Sequence, residues 1–499
     1  MAQTNGPQRA GTDPEARADP SKTSVVREWI SGSDELKPVD HRRLLNVRWP
    51  RNSLYIPEDR LENLKAYRYS GTDKSLVSRY VLAPYWNSLV KLFPTWVAPN
   101  VITLTGLAFV FLNIIQLFVY LPGLTCTPKP LHKGVGGDWD PLFKPSLPHN
   151  VYQNSLSWVQ TKLGWATPSQ DISACPPNWI YFTWALGLFL YQSMDAIDGK
   201  QARRTGTSGP LGEMFDHGCD AINTTLEVLL CAAALNLGQS WWTVTSQVFT
   251  LANFYLTTWE EYHTGTLYLS VFSGPIEGIL LIVVLYIITG FKGPAFWDQG
   301  ILSFLGLQDS SLAQQFNLRN LPLNECFLLF GGFGCALNIL QAYRHVIKKR
   351  LADKQDIISP LFGLYPFAIH AGCNVLWLYY APGIMGSGHL VAFCLYWGLA
   401  FAYQVGLLIT AYTTKQSFPY FNMMMIVSAL GAADAREGSK GGASFQSSTD
   451  NQITAVYIAL AISLLVYAMF VRDVIGSICA YLDINCLTVK KKVEDKKSS

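Results

Sequence analysis

From Val97 to Leu121 the chain runs for 25 residues without a charged side chain. Water offers such a stretch nothing to hide behind, whereas about 20 apolar residues wound as a helix cross the ~30 Å hydrocarbon core of a bilayer. Comparable runs recur at about 179–197, 220–237, 242–258, 276–291, 326–343, 358–381, 388–412, 418–432 and 453–475. The expected fold is therefore all-α, a polytopic membrane helix bundle of about ten transmembrane helices, with 418–432 the shortest run for a full crossing. The balance of 49% hydrophobic against 15% charged residues agrees. A net charge of +3 is too small to imply nucleic acid, and the basic residues gather beside apolar runs and near the chain ends. Met1 to Ser21 is polar and lacks the apolar centre of a cleavable signal, so the first span is expected to direct insertion.

Residues 1–23, rich in Pro, Gly, Ala, Asp and Thr, are expected to form a disordered tail. Residues 24–96 mix Arg and Lys with Trp29, Leu44, Trp49, Leu61, Leu64, Tyr67, Tyr80 and Trp86. Two readings suit that mixture: a cytosolic amphipathic segment lying on the membrane, or a small helical cap packed on other loops. Residues 122–177 read as a Pro- and Gly-rich loop, 292–481 as additional membrane helices, and 482–499 as a basic tail. Arg42, Arg43, Arg48 and Arg51 precede the first span, and Lys200, Arg203 and Arg204 follow the second. Arg344, Lys348, Lys349 and Arg350 follow the sixth, and Lys490, Lys491 and Lys492 the tenth. An even number of spans puts all of them on one side, which the positive-inside rule makes the cytosol; loop 122–177 then faces the lumen. None of the ten cysteines has C-x-x-C spacing, and Cys231, Cys335, Cys373 and Cys394 sit in apolar runs as small hydrophobes. Cys126 and Cys175 bracket the loop, and can pair only where it faces an oxidising compartment and the fold brings them together.

Between the second and third runs stands Asp195-Ala-Ile-Asp198-Gly199-Lys200-Gln-Ala202-Arg203-Arg204, followed by Gly212-Glu213-Met-Phe-Asp216-His217-Gly-Cys-Asp220. Charges at this boundary are costly unless something pairs with them. Asp195 and Asp198 are three apart and Asp216 and Asp220 four apart, so on helices each pair points its oxygens to one side. Four carboxylates gathered at one point repel and take up protons; hard, oxygen-ligated dications such as Mg²⁺ or Mn²⁺, two of them for four acids, keep them ionised. Gly199 and Gly212 leave the backbone open to a ligand, and Arg203 can hold a phosphate bidentately. The combination points to phosphate chemistry. A lone aspartate pair at a helix end would instead be an N-cap or a solvated face.

The spacing D-x-x-D-G-x-x-A-R, eight residues, G-x-x-x-D-x-x-x-D is met by Asp195, Asp198, Gly199, Ala202, Arg203, Gly212, Asp216 and Asp220, and resembles the signature of the CDP-alcohol phosphotransferases. Ser78-Arg-Tyr-Val-Leu-Ala-Pro-Tyr-Trp, Ala98-Pro-Asn100-Val-Ile-Thr-Leu-Thr-Gly and Phe215-Asp-His217-Gly-Cys-Asp220 resemble the eukaryotic cholinephosphotransferase and ethanolaminephosphotransferase branch, from about Leu76 onward. The resemblance implies a catalytic membrane core at 97–291 that moves phosphocholine or phosphoethanolamine from CDP-choline or CDP-ethanolamine to diacylglycerol, releasing CMP. It implies metal on Asp195, Asp198, Asp216 and Asp220, and contacts to the CDP-alcohol from Asn100, Gly199, Lys200, Arg203, Gly212 and Glu213. A homodimer is common in the family. Lys496-Lys497-Ser498-Ser499 resembles a dilysine retrieval signal, which implies the endoplasmic reticulum, with the Golgi as the alternative.

The acceptor hydroxyl benefits from a general base. Asp220, the last motif acid, and His217 compete for that part; a metal-bound carboxylate is a weak base, whereas a histidine beside a carboxylate titrates near neutrality, which favours His217. Glu277 resembles the residue that supports this histidine in the branch, with Glu260 and Glu261 as rivals. His263, His345 and His370 have no comparable neighbours and no expected chemical part. Three other functions fit less of the chain: a CDP-diacylglycerol-dependent phosphatidyltransferase of the phosphatidylinositol synthase type, a polytopic cation carrier, and a noncatalytic lipid scaffold.

Overall fold

The computed structural model describes residues 53–73, 75, 77–126, 175–269, 275–311, 315–316 and 318–490. The expected tail 1–23, the stretch with Trp29, Arg42, Arg43, Leu44, Arg48, Trp49 and Arg51, most of loop 122–177, and the last residues with Lys491, Lys492, Lys496 and Lys497 lie outside the described residues.

Among the described residues ten long helices stand where the apolar runs are. They are α1 (Pro99–Tyr120), α2 (Trp179–Thr205), α3 (Pro210–Ala234), α4 (Trp241–Thr264), α5 (Pro275–Lys292), α6 (Leu323–Ala352), α7 (Tyr365–Tyr380), α8 (Leu390–Thr414), α9 (Met423–Ser439) and α10 (Thr449–Leu482). The protein is an all-α membrane bundle. Five stretches, Pro99–Tyr120, Leu323–Ala352, Ser359–Tyr380, Leu390–Thr414 and Thr449–Leu482, are long and apolar enough to cross a bilayer by length and composition. Outward faces carry exposed Phe111, Leu112 and Ile115 on α1, Phe330 and Phe333 on α6, and Leu464 and Leu465 on α10, as a lipid-covered surface does.

The helix borders follow local chemistry. Pro99 opens α1 at a position where a missing N–H costs nothing. Gly206, at φ +66°, ends α2 in the left-handed conformation, and Pro210 begins α3 four residues later. The motif therefore lies on two continuous helices with only a four-residue turn, 206–209, between them. The last apolar run but one begins as a helix only at Met423, because Pro419 precedes it and Oδ1 of Asn422 accepts hydrogen bonds from the backbone N–H groups of Met424 and Met425.

At the centre is α8, almost wholly buried, packed against α3, α4 and α10. A side chain at Gly398 would collide with Thr225 of α3, so glycine is what lets these two helices approach. The helices beyond residue 292 thus wrap the motif-bearing half. Helices α1 and α2 pack along their length, and Cys126 and Cys175 beyond their far ends are joined in a disulfide, Cα to Cα 4.8 Å.

The described part of the N-terminal segment is docked on the bundle. Ile56 and Leu64 are buried, Tyr55 packs edge-on against Phe470 at 5.0 Å, and Asn63 Nδ2 donates to the carbonyl of Thr414 at 2.8 Å. Residues 55–64 thus pack against α8 and α10, not against other loops. Strand β1 (Gly71–Asp73) then pairs in parallel with β2 (Leu267–Leu269), just past the end of α4.

Candidate active site

The turn at 206–209 folds α3 back beside α2, so the last turns of one helix face the first turns of the other. One carboxylate oxygen each from Asp195, Asp216 and Asp220 lies within 4.8 Å of the other two. Asp198 is buried as well and accepts a hydrogen bond from Thr103 Oγ1 at 2.5 Å. Three of the four motif aspartates thus meet at one point, with Asp198 one turn of α2 beyond Asp195.

Three of the four acids have an orienting donor, Thr103 for Asp198 among them. Gln192 Nε2 donates to Asp195 at 3.2 Å, and the Tyr191 hydroxyl donates to Oδ1 of Asp220. Oδ1 of Asp216, by contrast, is buried without a hydrogen-bond partner. An all-oxygen, all-anionic donor set with an unsatisfied buried member fits a hard dication. Tyr191, Gln192 and Thr103 were not singled out from the sequence. A signal was there: Tyr191 is one turn before Asp195, and Thr103 one turn after Asn100.

Gly199 and Gly212 keep the cradle open. A Cβ on Gly212 would meet nothing within 4 Å, and one on Gly199 would meet only Arg203 Nη1 at 3.7 Å. The two arginines of the motif divide their work. Arg204 donates to the carbonyls of Val90 and Phe93 and to Gln201, holding the preceding loop to α2, while Arg203 makes no ion pair among the described residues. Lys200 Nζ is engaged by Asn87 Oδ1 at 2.9 Å, away from the acids, and Nδ2 of Asn100 donates to the Cys486 carbonyl at 3.0 Å.

One turn toward the start of α3 is a second group. Ligand atoms of Glu213, His217 and Glu261 lie within 4.8 Å of one another, and Glu213 and Glu261 are only 8% and 2% exposed. Both oxygens of Glu213, Oε1 of Glu261 and Nδ1 of His217 are buried without a partner. Of the three acids considered beside His217, Glu260 is taken by Nδ1 of His345 at 2.5 Å. Glu277 accepts a hydrogen bond from Ser75 Oγ, and its Oε2 is buried without a partner. His345, expected to be chemically idle, is therefore what separates the parts of two adjacent glutamates.

The β1–β2 pairing brings the N-terminal segment to this place. Tyr69 lies two residues before β1, its hydroxyl over Gly71, where any side chain would collide with it. The ring is 57% exposed. Its phenol is nevertheless pushed up to about 12, first by lost hydration and then by the carboxylates of Glu261, Asp216 and Asp195, with Arg203 acting in the opposite sense. It is a neutral hydroxyl at physiological pH.

Residues 173–305 match the family model described as CDP-alcohol phosphatidyltransferase, a span that takes in both motif helices and α4. An uncharacterised CDP-alcohol phosphatidyltransferase class-I family protein of Schizosaccharomyces pombe is 37% identical over 450 residues, 89% of this chain and 100% of the relative. Choline/ethanolaminephosphotransferase 1 of Saccharomyces cerevisiae is 34% identical over 447 residues, covering 88% and 98% of the two chains. Cholinephosphotransferase 1 of the same yeast is 31% identical over 457 residues, covering 88% and 99%. Likeness on that scale covers most of the chain and not the motif alone, and the chain belongs to the CDP-alcohol phosphatidyltransferase family.

Proposed function

We propose that this protein transfers phosphocholine or phosphoethanolamine from its CDP ester to the hydroxyl of diacylglycerol, giving a phospholipid and CMP. The observation that carries the reading is the convergence of Asp195, Asp216 and Asp220, with Asp198 one turn along α2 and two bare glycines on the same two helices, in a chain whose yeast relatives bear those activities in their names.

Asp195, Asp198, Asp216 and Asp220 are the residues that would hold metal, two ions of Mg²⁺ or Mn²⁺. When bound, they supply charge neutralisation for the pyrophosphate and for the departing CMP oxygen. The rest falls to the chain's own groups. Arg203, with no ion pair among the described residues, grips a phosphate, and the exposed backbone at Gly199 and Gly212 lets the nucleotide lie close. Asn100, Glu213 and Lys200 are the further contacts of this reading, Lys200 after leaving Asn87. The diacylglycerol oxygen attacks the phosphorus bearing the amino alcohol, the bond to the CMP oxygen breaks, and His217 takes the hydroxyl proton. Glu277 steadies the imidazole in this reading, with Glu261, which lies within 4.8 Å of a His217 ring nitrogen, as its rival. A phospho-enzyme is not needed, since the acceptor hydroxyl is itself the nucleophile.

Orientation belongs to the same reading. From Trp179 to Asp198 helix α2 rises about 30 Å, one hydrocarbon thickness. The Cys126–Cys175 bond is at one end and the acids at the other. A disulfide suits an oxidising lumen, which leaves the acids to the cytosol and its nucleotides. Residence in the endoplasmic reticulum or Golgi, and a homodimer, complete the proposal. The test is purified full-length protein given diacylglycerol with CDP-choline or CDP-ethanolamine, with and without chelator. CMP release that chelation stops is expected. Release only from CDP-diacylglycerol, or none at all, would overturn the assignment.

A further inference from the structure

Glu213 and Glu261 pose a problem that the metal site does not solve. Two carboxylates within 4.8 Å of each other and almost fully buried, three of their four oxygens without a partner, repel strongly unless a proton or a cation lies between them. Among the described residues no Lys or Arg forms an ion pair with either. What does surround them is aromatic. Tyr412 of α8 precedes Thr413, whose Oγ1 donates at 3.8 Å to the sulfur of Met214, the residue after Glu213. Tyr67 packs edge-on against Tyr412 at 6.2 Å, and its own hydroxyl is buried without a partner. Tyr69 is brought to the end of α4 by its neighbour Ser70, whose carbonyl accepts from the Leu267 N–H at 2.9 Å, and its ring is exposed.

Tyrosine faces and buried carboxylates together are the chemistry that receives an alkylammonium ion: the rings attract its diffuse charge and the acids neutralise it. We propose that Glu213, Glu261, Tyr67, Tyr69 and Tyr412 form the binding site for the ammonium head of the transferred amino alcohol. The placement rests on the phosphotransferase reading above. His217, within 4.8 Å of both glutamates, directly follows Asp216 in the chain, and a short ethyl arm joins phosphate to ammonium in the donor. The phosphate can therefore lie over the aspartates while the ammonium lies between the glutamates. The two parts of the site discriminate differently. A primary ammonium donates hydrogen bonds and leans on the carboxylates; a trimethylammonium has none to donate and leans on the rings.

The test measures binding of CDP-choline, CDP-ethanolamine and CMP to the full chain with magnesium and without diacylglycerol. Glu261→Gln should weaken CDP-ethanolamine at least tenfold and CMP less than about twofold. Tyr69→Leu should weaken CDP-choline about tenfold, CDP-ethanolamine less and CMP not at all, whereas Tyr69→Phe, which keeps the ring, should bind as wild type. Equal weakening of all three nucleotides by Tyr69→Leu, no change in any, a Phe substitution as harmful as Leu, or a magnesium requirement shifted alike for all three would each overturn the proposal. A misfolded Glu261→Gln would reveal itself by losing CMP, and Tyr69, being exposed, then carries the decision. Wild-type protein that binds CMP but neither amino-alcohol ester would instead refute the phosphotransferase reading.

Discussion

Asp220 is claimed by two roles, metal ligand and general base, and Tyr191→Phe separates them. The substitution deletes one oxygen from a side chain that is 2% exposed, leaving its ring contacts in place and Oδ1 of Asp220 without its donor. A hydrogen bond to a charged group contributes about 1.5–3 kcal/mol. Where such a bond orients a metal ligand, its loss costs roughly 10- to 100-fold in metal affinity, or about 1.4–2.7 kcal/mol. The assay is CMP release at fixed donor and diacylglycerol while magnesium is varied. The concentration for half-maximal rate should rise by that factor, and saturating metal should restore kcat to within about threefold of wild type. If Asp220 were the base, the loss would persist at every metal concentration and the pH profile of kcat would move. An unchanged metal requirement would refute the argument that Tyr191 serves a ligand.

His217→Ala should lower kcat by about 10²–10⁴-fold while CMP and metal still bind, and Glu277→Gln by less; a rate within tenfold of wild type in His217→Ala would return the base role to Asp220. Arg203→Lys should raise KM for either CDP ester about tenfold, because a point charge cannot grip a phosphate bidentately; an unchanged KM would remove Arg203 from the nucleotide site. Cys126→Ser opens a closure of 49 residues, for which chain entropy gives about 4 kcal/mol of stability. Thermal unfolding should shift down while kcat at low temperature is unaffected, and a loss of kcat matching the loss of fold would contradict the placement of bond and acids at opposite ends.

What was legible in the sequence was local. Asp195, Asp216 and Asp220 lie within 26 residues, and helical periodicity with a Gly–Pro turn suffices to bring them together. The apolar runs announced their helices for the same reason, and the exception proves informative: α9 starts late because of Pro419 and the Asn422 cap, not because of hydropathy. The other side of the site depends on long-range contacts. Adjacent residues on a helix point about 100° apart, so Glu260 and Glu261 must differ, but that Glu260 faces His345, 85 residues away, and Glu261 faces His217 follows from how the helices pack. Tyr69 reaches the acids only because β1 pairs with a strand nearly 200 residues later. Nothing in its own neighbourhood foretells that.

The pairing of α1 with α2 bears on how a greasy acceptor could reach water-loving chemistry. Covalently laced at one extremity and pinned by Thr103 against Asp198 at the other, the two helices make a stiff post. Any seam that parts to let a lipid slide in must then open elsewhere in the wall, with the post standing still and keeping half of the reaction centre in register throughout.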